Sequence, residues 1–390
     1  MMWREGVVRS LRRSWGPAGA RCAELQVEVT AAPAGAEFLG PGQELRAVVY
    51  EQLYGIPKPG ATVRVEVSAL ERRLGTGGHG MVTACLDELP ADQRAPGHLV
   101  KCRYTPSQLL VQGVDEQDTA HHGVLTGAAG PLDLGGMPVV VADLHSSLPA
   151  LLAGMLPAAA GQQPRVVYVM TDGGALPLAY SQAVAALREA GLLAGTVTVG
   201  QAWGGELEAV SIHNGLLAAR LVLGADIAVV TQGPGNLGTD TPWGFSGVSC
   251  GEALNAAAVL GGQPVACLRV SQADARSRHQ GVSHHSLTAY GKVALVAADV
   301  VVPVLAGALG QQVLAQAREL CAPRATGSQH RLVEMETTGL RAALERLEAQ
   351  AGLRLSTMGR GLDADEAAFL AAAAAGRHAA ALAGFKTAVR

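Results

Sequence analysis

Aromatic residues make up only 4% of this 390-residue chain and charged residues 16%, lysine is nearly absent, and no apolar run reaches the length of a membrane span. Each shortage excludes something. A formal charge of −3 spread over so few ionic groups gives no general attraction for nucleic acid or anionic lipid, so any electrostatic capture must be local. The opening stretch MMWREGVVRSLRRSW is basic but lacks the apolar core of a signal peptide, and nothing later supplies the roughly twenty apolar residues that a bilayer span needs. Cys22, Cys85, Cys102, Cys250, Cys267 and Cys321 include no pair at CxxC spacing and none beside a metal-type histidine pattern, which argues against both a disulfide framework and a zinc ribbon. The reading is of a cytoplasmic chain with reduced thiols, and no membrane or nucleic-acid partner is expected.

What is abundant is apolar: 49% of the residues, enough to bury at least one large core. The N-terminal part has period-two, valine-rich runs punctuated by Gly and Pro: GVVRSLRRS and CAELQVEVT around a Gly-Pro turn, then ELRAVVYEQL, ATVRVEVSAL and MVTACL. These predict a small β-barrel over about residues 4–86, within a first domain at 1–95. Trp3, Val7, Leu11 and Trp15 also fit a membrane-lying helix, but the alternation favours a hairpin. The barrel is too poor in aromatics for a base-stacking platform, so a structural or oligomerising role, including a homo-oligomer, is preferred. Residues 96–136 read as a connecting strand (GHLVKCRYT), a helix or covering arm (PSQLLVQGVDEQDTAHHG, with His121 and His122 solvated) and a linker.

From Met137 to the end, apolar β-branched runs alternate with helix-length segments: MPVVVA, RVVYVMT, AGTVTVG, DIAVVTQ, PVACLRVS, VVPVLAG and HRLVEME. Runs that are apolar throughout predict a parallel, Rossmann-like α/β sheet covered by helices on both faces. In such a sheet ligands bind beyond the carboxyl ends of the strands, and the polar residues fall there. Successive strands lead into Asp143, His145 and Ser146; Asp172, Gly173 and Gly174; Gln201, Trp203 and Glu206; Gly233, Gly235, Asn236 and Asp240; and Asp274, Arg276, Arg278, His279, His284 and His285. His213 and Asn214 could face the same crevice or only a helix surface.

The last of these loops, SRHQGVSHHS, carries the densest chemistry. Arg269, Arg276 and Arg278 place positive charge near it, and arginine recognises carboxylate or phosphate in bidentate fashion, so a small anionic ligand is expected. Glycine turns at Gly173, Gly174, Gly233 and Gly235 can aim backbone N–H groups at the same anion, with His145, Ser146, Asn236 and Asp274 beside them. His279, His284 and His285 are the candidate proton-transfer residues near neutral pH, and Asp143 and Asp172 the groups to orient a histidine or hold a metal. Asp143, His145 and His284 lead the candidate ligands for a divalent ion; of the adjacent His284 and His285, at most one is expected to ligate it. The cofactor is otherwise left open.

Three tempting motifs are weaker. GPGNLG (233–238) matches a dinucleotide fingerprint, but Pro234 and TDTPWG delay the helix to about Gly247, which disfavours NAD or a flavin. GVSCG (247–251) lacks the strand that a serine nucleophile elbow needs directly before it, although Cys250 lies near a helix start. GTGGHG (75–80) lacks the Lys-Ser/Thr ending of a P-loop.

Taken together, ADLHSSLPAL, TDGGALPLAYS, TQGPGNLGT, GFSGVSCGEALN and RVSQADARSRHQGVSHHSL, with LGTGGHGMV and VKCRYTP, resemble a bacterial family catalogued as domain of unknown function 3866. The likeness covers the whole chain; its His/Arg motif is specific and its glycine loops are not. It implies a bacterial cytosolic protein and carries no mechanism. The residues themselves favour a hydrolase or group transferase acting on a small anionic metabolite; the alternative is a non-catalytic ligand-binding or regulatory protein using the same pocket.

Overall fold

The computed structural model describes residues 1–75, 77–92, 94–157, 161–323 and 328–387, so Thr76 of the GTGGHG turn lies outside the described residues. The chain divides into two compact units, residues 1–111 with 179–185 and residues 112–178 with 186–390.

In the first unit β1 (Trp3–Trp15), β2 (Cys22–Ala31), β3 (Glu44–Tyr50), β4 (Thr62–Glu66) and β5 (Gly80–Cys85) close into a barrel in the order β1-β2-β3-β5-β4. Alternation drives the closure: Val8, Leu25, Val27, Ala47, Val49, Val63, Val65 and Val82 bury a common interior, while Arg9 and Glu28 pair at the surface between them. The run Trp3–Trp15 is therefore strand, not a membrane-lying helix. It is long enough to pair with both β2 and β4, bending at register shifts beside Gly6. A Cβ on Gly6 would stand 2.6 Å from the Glu28 carbonyl, so glycine is what lets β1 and β2 approach.

GHLVKCRYT supplies β6 (Leu99–Lys101), which pairs with β7 (Leu109–Val111). Of the two readings for 106–123, helix or covering arm, the helix is not formed. Its Leu-Leu-Val run is the strand β7, and the rest turns on Gly113 and Glu/Thr contacts, with Gly113 N donating to Glu116 Oε1 and Thr119 Oγ1 donating to the Val114 carbonyl. Only a four-residue helical turn, His122–Leu125, follows.

The second unit is built on eight parallel strands: β8 (Pro138–Ala142), β9 (Val166–Thr171), β10 (Gly195–Val199), β11 (Leu207–Ala209), β12 (Ile227–Gln232), β13 (Gln263–Cys267), β16 (Asp299–Pro303) and β17 (Arg331–Met335). The two-residue strands β14 (Val270–Ser271) and β15 (Gly281–Val282) form a small antiparallel ladder, as do β18 (Ser356–Thr357) and β19 (Arg360–Gly361). The large sheet runs β11-β10-β9-β12-β8-β13-β16-β17. From β8 the chain works outward through β9, β10 and β11, returns to β12 beside β8, then crosses to build β13, β16 and β17 on the other side. The loops leaving β12, β8 and β13 thus diverge at the centre of the sheet, where this topology opens a crevice.

Every residue of β8, β10 and β12 is buried, as strands covered on both faces require. Val139 and Val141 join a core with the helices Ile212–Leu217 and Ser249–Val259. Helices Ser147–Met155 and Glu366–Leu382 cover the central strands as well and interlock at two glycines. A Cβ on Gly154 would lie 1.8 Å from the Ala373 carbonyl, and one on Gly376 1.9 Å from the Leu151 carbonyl, so bare backbone is what lets these helices cross. No helix among the described residues is long and apolar enough to cross a membrane, and all six cysteines are free.

Candidate functional site

Asp143 is the first residue after β8, and its side chain is buried. Its Oδ2 accepts from His285 Nδ1 at 2.9 Å and from Arg269 Nη1 at 3.1 Å, its Oδ1 from Asn236 Nδ2 at 2.9 Å, and its carbonyl from Gln232 Nε2 at 3.0 Å. One aspartate therefore joins segments that follow β8, β12 and β13. Gly247 completes the fit, since a Cβ there would stand 1.8 Å from Asp143 Oδ1. Below the cluster the buried Tyr290 hydroxyl sits between the carbonyls of Val141 (2.9 Å) and Cys267 (3.1 Å), bridging the ends of β8 and β13. Burial alone would raise the carboxyl; the hydrogen bond from His285 and the guanidinium of Arg269 outweigh it and hold Asp143 below the ordinary aspartate range.

The histidines come from a compact fold of the 270–288 segment. β14 and β15 pair, a single 3-10 turn covers Ser277–His279, and Ser283 caps the helix His284–Thr288 by accepting from His285 N at 3.2 Å. Ser283 Oγ also lies 2.7 Å from His279 Nδ1. The ring centroids of His279, His284 and His285 stand 5.0, 5.1 and 4.5 Å apart, and Phe245 stacks on His285 at 3.8 Å with the planes 5° from parallel. One nitrogen from each imidazole lies within 4.8 Å of one from each of the others, and among the described residues no second group of His, Cys, Asp or Glu converges in this way. His284 Nε2 is buried with no hydrogen-bond partner. Burial first, then the charges of Arg269 and Arg276, push His279 down to about 3; burial, His285 and Arg278 lower His284. Both shifts favour the neutral ring.

The arginines are not free cations. Arg269 is committed to Asp143, and Arg276 binds Asp274 in bidentate fashion through Nε and Nη2, both at 2.9 Å. Asp274 lies close enough to His279 to act on its charge. Arg278 pairs with Asp240 at 2.6 Å, but that aspartate is 67% exposed, and Arg278 Nε is buried without a partner. Arg269 also lines a cleft with Ser146, Ser271, Thr357 and Arg360, floored by Phe369. There Arg360 is held by the buried Asp365 (2.9 Å) and by Asp274 (3.4 Å).

The structure thus brings together Asp143, Asn236, Asp274, His279, His284 and His285, with Arg276 and Arg278 at the edge. Other sequence candidates are placed differently. Asp172 is exposed and turned toward the loop after β10, accepting from Gln201 N at 2.9 Å, so it orients no histidine of the cluster. Asp143 orients His285, and among the described residues it is not one of the three groups that converge as candidate metal ligands. His145 donates or accepts at Tyr168 Oη (2.9 Å) below the neighbouring loop, and burial pushes it down to about 4; it too stands apart from the imidazole cluster. Ser146 bonds Thr357 Oγ1 at 3.0 Å in the cleft. Gly173, Gly174 and Gly233 serve close packing: Cβ atoms there would lie 2.5 Å from Gln232 Oε1, 2.2 Å from the Gly233 carbonyl and 2.1 Å from the Ala175 carbonyl. Gly235 is there for its positive φ of 88°. His213 is exposed, and Asn214 bonds Asp115 at 3.2 Å.

Sequence reasoning missed Gln232, Phe245, Ser283 and Tyr290. Gln232, a polar residue ending an otherwise apolar strand, and Ser283, a serine directly before a helix, carried signals that could have found them. Phe245 and Tyr290 carried none, since their roles depend on which ring and which carbonyls the tertiary fold brings to them.

Fold and site together define a doubly wound α/β protein with a buried aspartate–imidazole centre at its switch point and a five-stranded barrel in its first unit. The chain belongs to the family described as Protein of unknown function (DUF3866), whose model matches residues 46–376. No curated protein matches the chain.

Proposed function

We propose that the protein is an enzyme, a hydrolase or group transferase that acts on a small anionic metabolite at the imidazole cluster. The observation that carries this reading is the buried Asp143–His285 hydrogen bond with two further imidazoles in ring contact beside it. A carboxylate that accepts a hydrogen bond from Nδ1–H fixes the tautomer and leaves an Nε2 lone pair. Such lone pairs activate a water or hydroxyl for attack on an acyl or phosphoryl centre, by taking its proton or by holding an ion that acidifies it. The proton then passes to the departing oxygen, so the step balances without an oxidant or reductant.

Arg278 is the group suited to the anion. Arg269 and Arg276 already neutralise buried aspartates, whereas Arg278 exchanges only an exposed partner, a pair worth under about 1 kcal/mol in water. A cytoplasmic enzyme with free thiols fits this reading. The test is turnover of p-nitrophenyl phosphate and p-nitrophenyl acetate by the purified protein, with His284→Gln and His285→Gln expected to lose at least about 100-fold. Binding of inorganic phosphate without turnover of either probe would instead favour a ligand sensor.

A further inference from the structure

The 277–286 loop folds into an arrangement that proton transfer alone does not require: three imidazoles whose nitrogens converge within 4.8 Å. We propose that His279, His284 and His285 bind one divalent transition-metal ion of the zinc class through three imidazole nitrogens, leaving a coordination position open. The inference concerns the same site as the enzymatic reading and rests on it only for what the ion would do.

Four observations support the site. Nδ1 of His279 and of His285 is already engaged, by Ser283 at 2.7 Å and by Asp143 at 2.9 Å, so Nε2 is the nitrogen each can offer. That is the outer-shell arrangement of metal-ligating histidines, in which the second ring nitrogen is held by a carboxylate or hydroxyl. His284 Nε2 is buried and unpartnered, and a buried nitrogen left so calls for an occupant. The donors are all imidazole nitrogens, which suits zinc, copper, nickel or iron and not magnesium or calcium. Adjacent histidines in mid-helix diverge by about 100°, which underlies the expectation that at most one of the pair serves a metal. Here the pair opens a helix capped by Ser283, the rings stand 4.5 Å apart, and His279 arrives from the 3-10 turn to complete the set. Tetrahedral zinc at about 2.0–2.1 Å from each nitrogen needs them roughly 3.4 Å apart, so from separations within 4.8 Å the nitrogens would close by at most about 1.4 Å on loading.

Charge then points to the open position. Three neutral imidazoles leave the ion's two positive charges uncompensated, and Asp143 is already neutralised by Arg269. The remaining ligand is therefore expected to be anionic, a hydroxide or an oxygen of a carboxylate or phosphate substrate, with Arg278 at the edge of the site.

The test is titration of the full-length, chelator-treated protein with zinc by calorimetry and with cobalt by absorption spectroscopy. The expected result is one equivalent bound, tetrahedral cobalt bands and no sulfur-to-cobalt charge transfer. His284→Ala should weaken zinc at least tenfold, Asp143→Asn about 10–100-fold, and the exposed His213→Gln not at all. No metal binding by the wild type, or binding equal in His284→Ala and wild type, would overturn the proposal, as would a sulfur charge-transfer band. If His284→Ala does not fold, the wild-type cobalt spectrum decides. Metal bound with no turnover of the ester probes sinks the enzymatic reading and leaves this one standing; turnover by metal-free protein that binds none does the reverse.

Discussion

Asp143 and His285 lie 142 residues apart in sequence and 2.9 Å apart in space. The bond ties the end of the central strand β8 to the first turn of a helix that follows β13, and Arg269 shares the same carboxylate oxygen. Stability and the arrangement of the imidazole cluster are therefore coupled at Asp143. It neutralises a buried guanidinium, sets the tautomer of His285 and anchors the loop after β12 through Asn236.

Asp143→Asn removes the charge and keeps the shape. Arg269, only 9% exposed at its side chain, is then left without its counter-ion, and breaking a buried pair from one side costs about 3–5 kcal/mol. Urea denaturation should show that loss. Asp172→Asn, at an exposed carboxylate bonded to one backbone N–H, should cost under about 1 kcal/mol. Equal losses in the two variants would contradict the assignment of Asp143 as the hub.

Acid should weaken the fold before any carboxylate matters. His145 is held down to about 4 by burial, against about 6.5 in an unfolded chain, and His279 to about 3 by burial and the neighbouring arginines. Between pH 6.5 and 4 the unfolded chain binds protons that the folded chain refuses, so stability falls as pH falls through that window. Each histidine contributes up to about 1.4 kcal/mol per pH unit. Asp143, with its depressed carboxyl, acts in the same sense at more acid pH. His145→Gln can keep a hydrogen bond to Tyr168 and should flatten the pH dependence of the denaturation midpoint by about one proton. An unchanged slope would mean that His145 titrates normally.

Much of this was legible in the sequence. The barrel could be read because alternation and Gly/Pro punctuation report on the local chain, and the parallel sheet because its strands are apolar throughout. The rim of loops followed from strand polarity, and it delivered Asp143, Asn236 and the 276–285 motif to one place. β11 escaped because Leu207–Ala209 is three residues long at a sheet edge, below the length at which a period shows. Asp172 was misplaced because a loop's position along the strand end is legible but the direction of its side chain is not. The glycines of TDGGA and QGPGNLG read as an anion cradle because the close approach of the Gly174 and Gly233 backbones depends on the tertiary fold. The pairing of Arg269 with Asp143 and of Arg278 with Asp240 was likewise invisible, since those ion pairs span loops far apart in the chain, whereas Arg276 and Asp274 pair two residues apart within one loop.

Gly154→Ala sets two effects against each other. Inside a helix the change should gain about 1 kcal/mol from propensity. The new methyl would lie 1.8 Å from the Ala373 carbonyl, a backbone atom of the crossing helix Glu366–Leu382 that no rotamer change can clear. Overpacking of that kind costs about 1–3 kcal/mol, so the variant should be less stable than wild type, and Gly376→Ala likewise. A thermal melt gives the sign. A stabilised variant would show that these helices do not cross at the two glycines.

The Arg278–Asp240 pair makes the last prediction, which bears on the anionic ligand. With Asp240 67% exposed the pair should hold little stability, so Asp240→Asn should shift the unfolding free energy by less than about 1 kcal/mol. The same change removes the carboxylate that pairs with Arg278, so an anion gains what the pair was worth, up to about fivefold in affinity. Inorganic phosphate titrated into wild type, Asp240→Asn and Arg278→Gln should therefore bind tightest to Asp240→Asn and weakest to Arg278→Gln. A dependence on ionic strength should accompany the first two, because the guanidinium edge is solvent-facing and screened by salt. If Arg278→Gln binds phosphate as wild type does, the anion is held elsewhere, and Arg269 and Arg360, which flank the Ser146–Thr357 cleft, become the arginines to test.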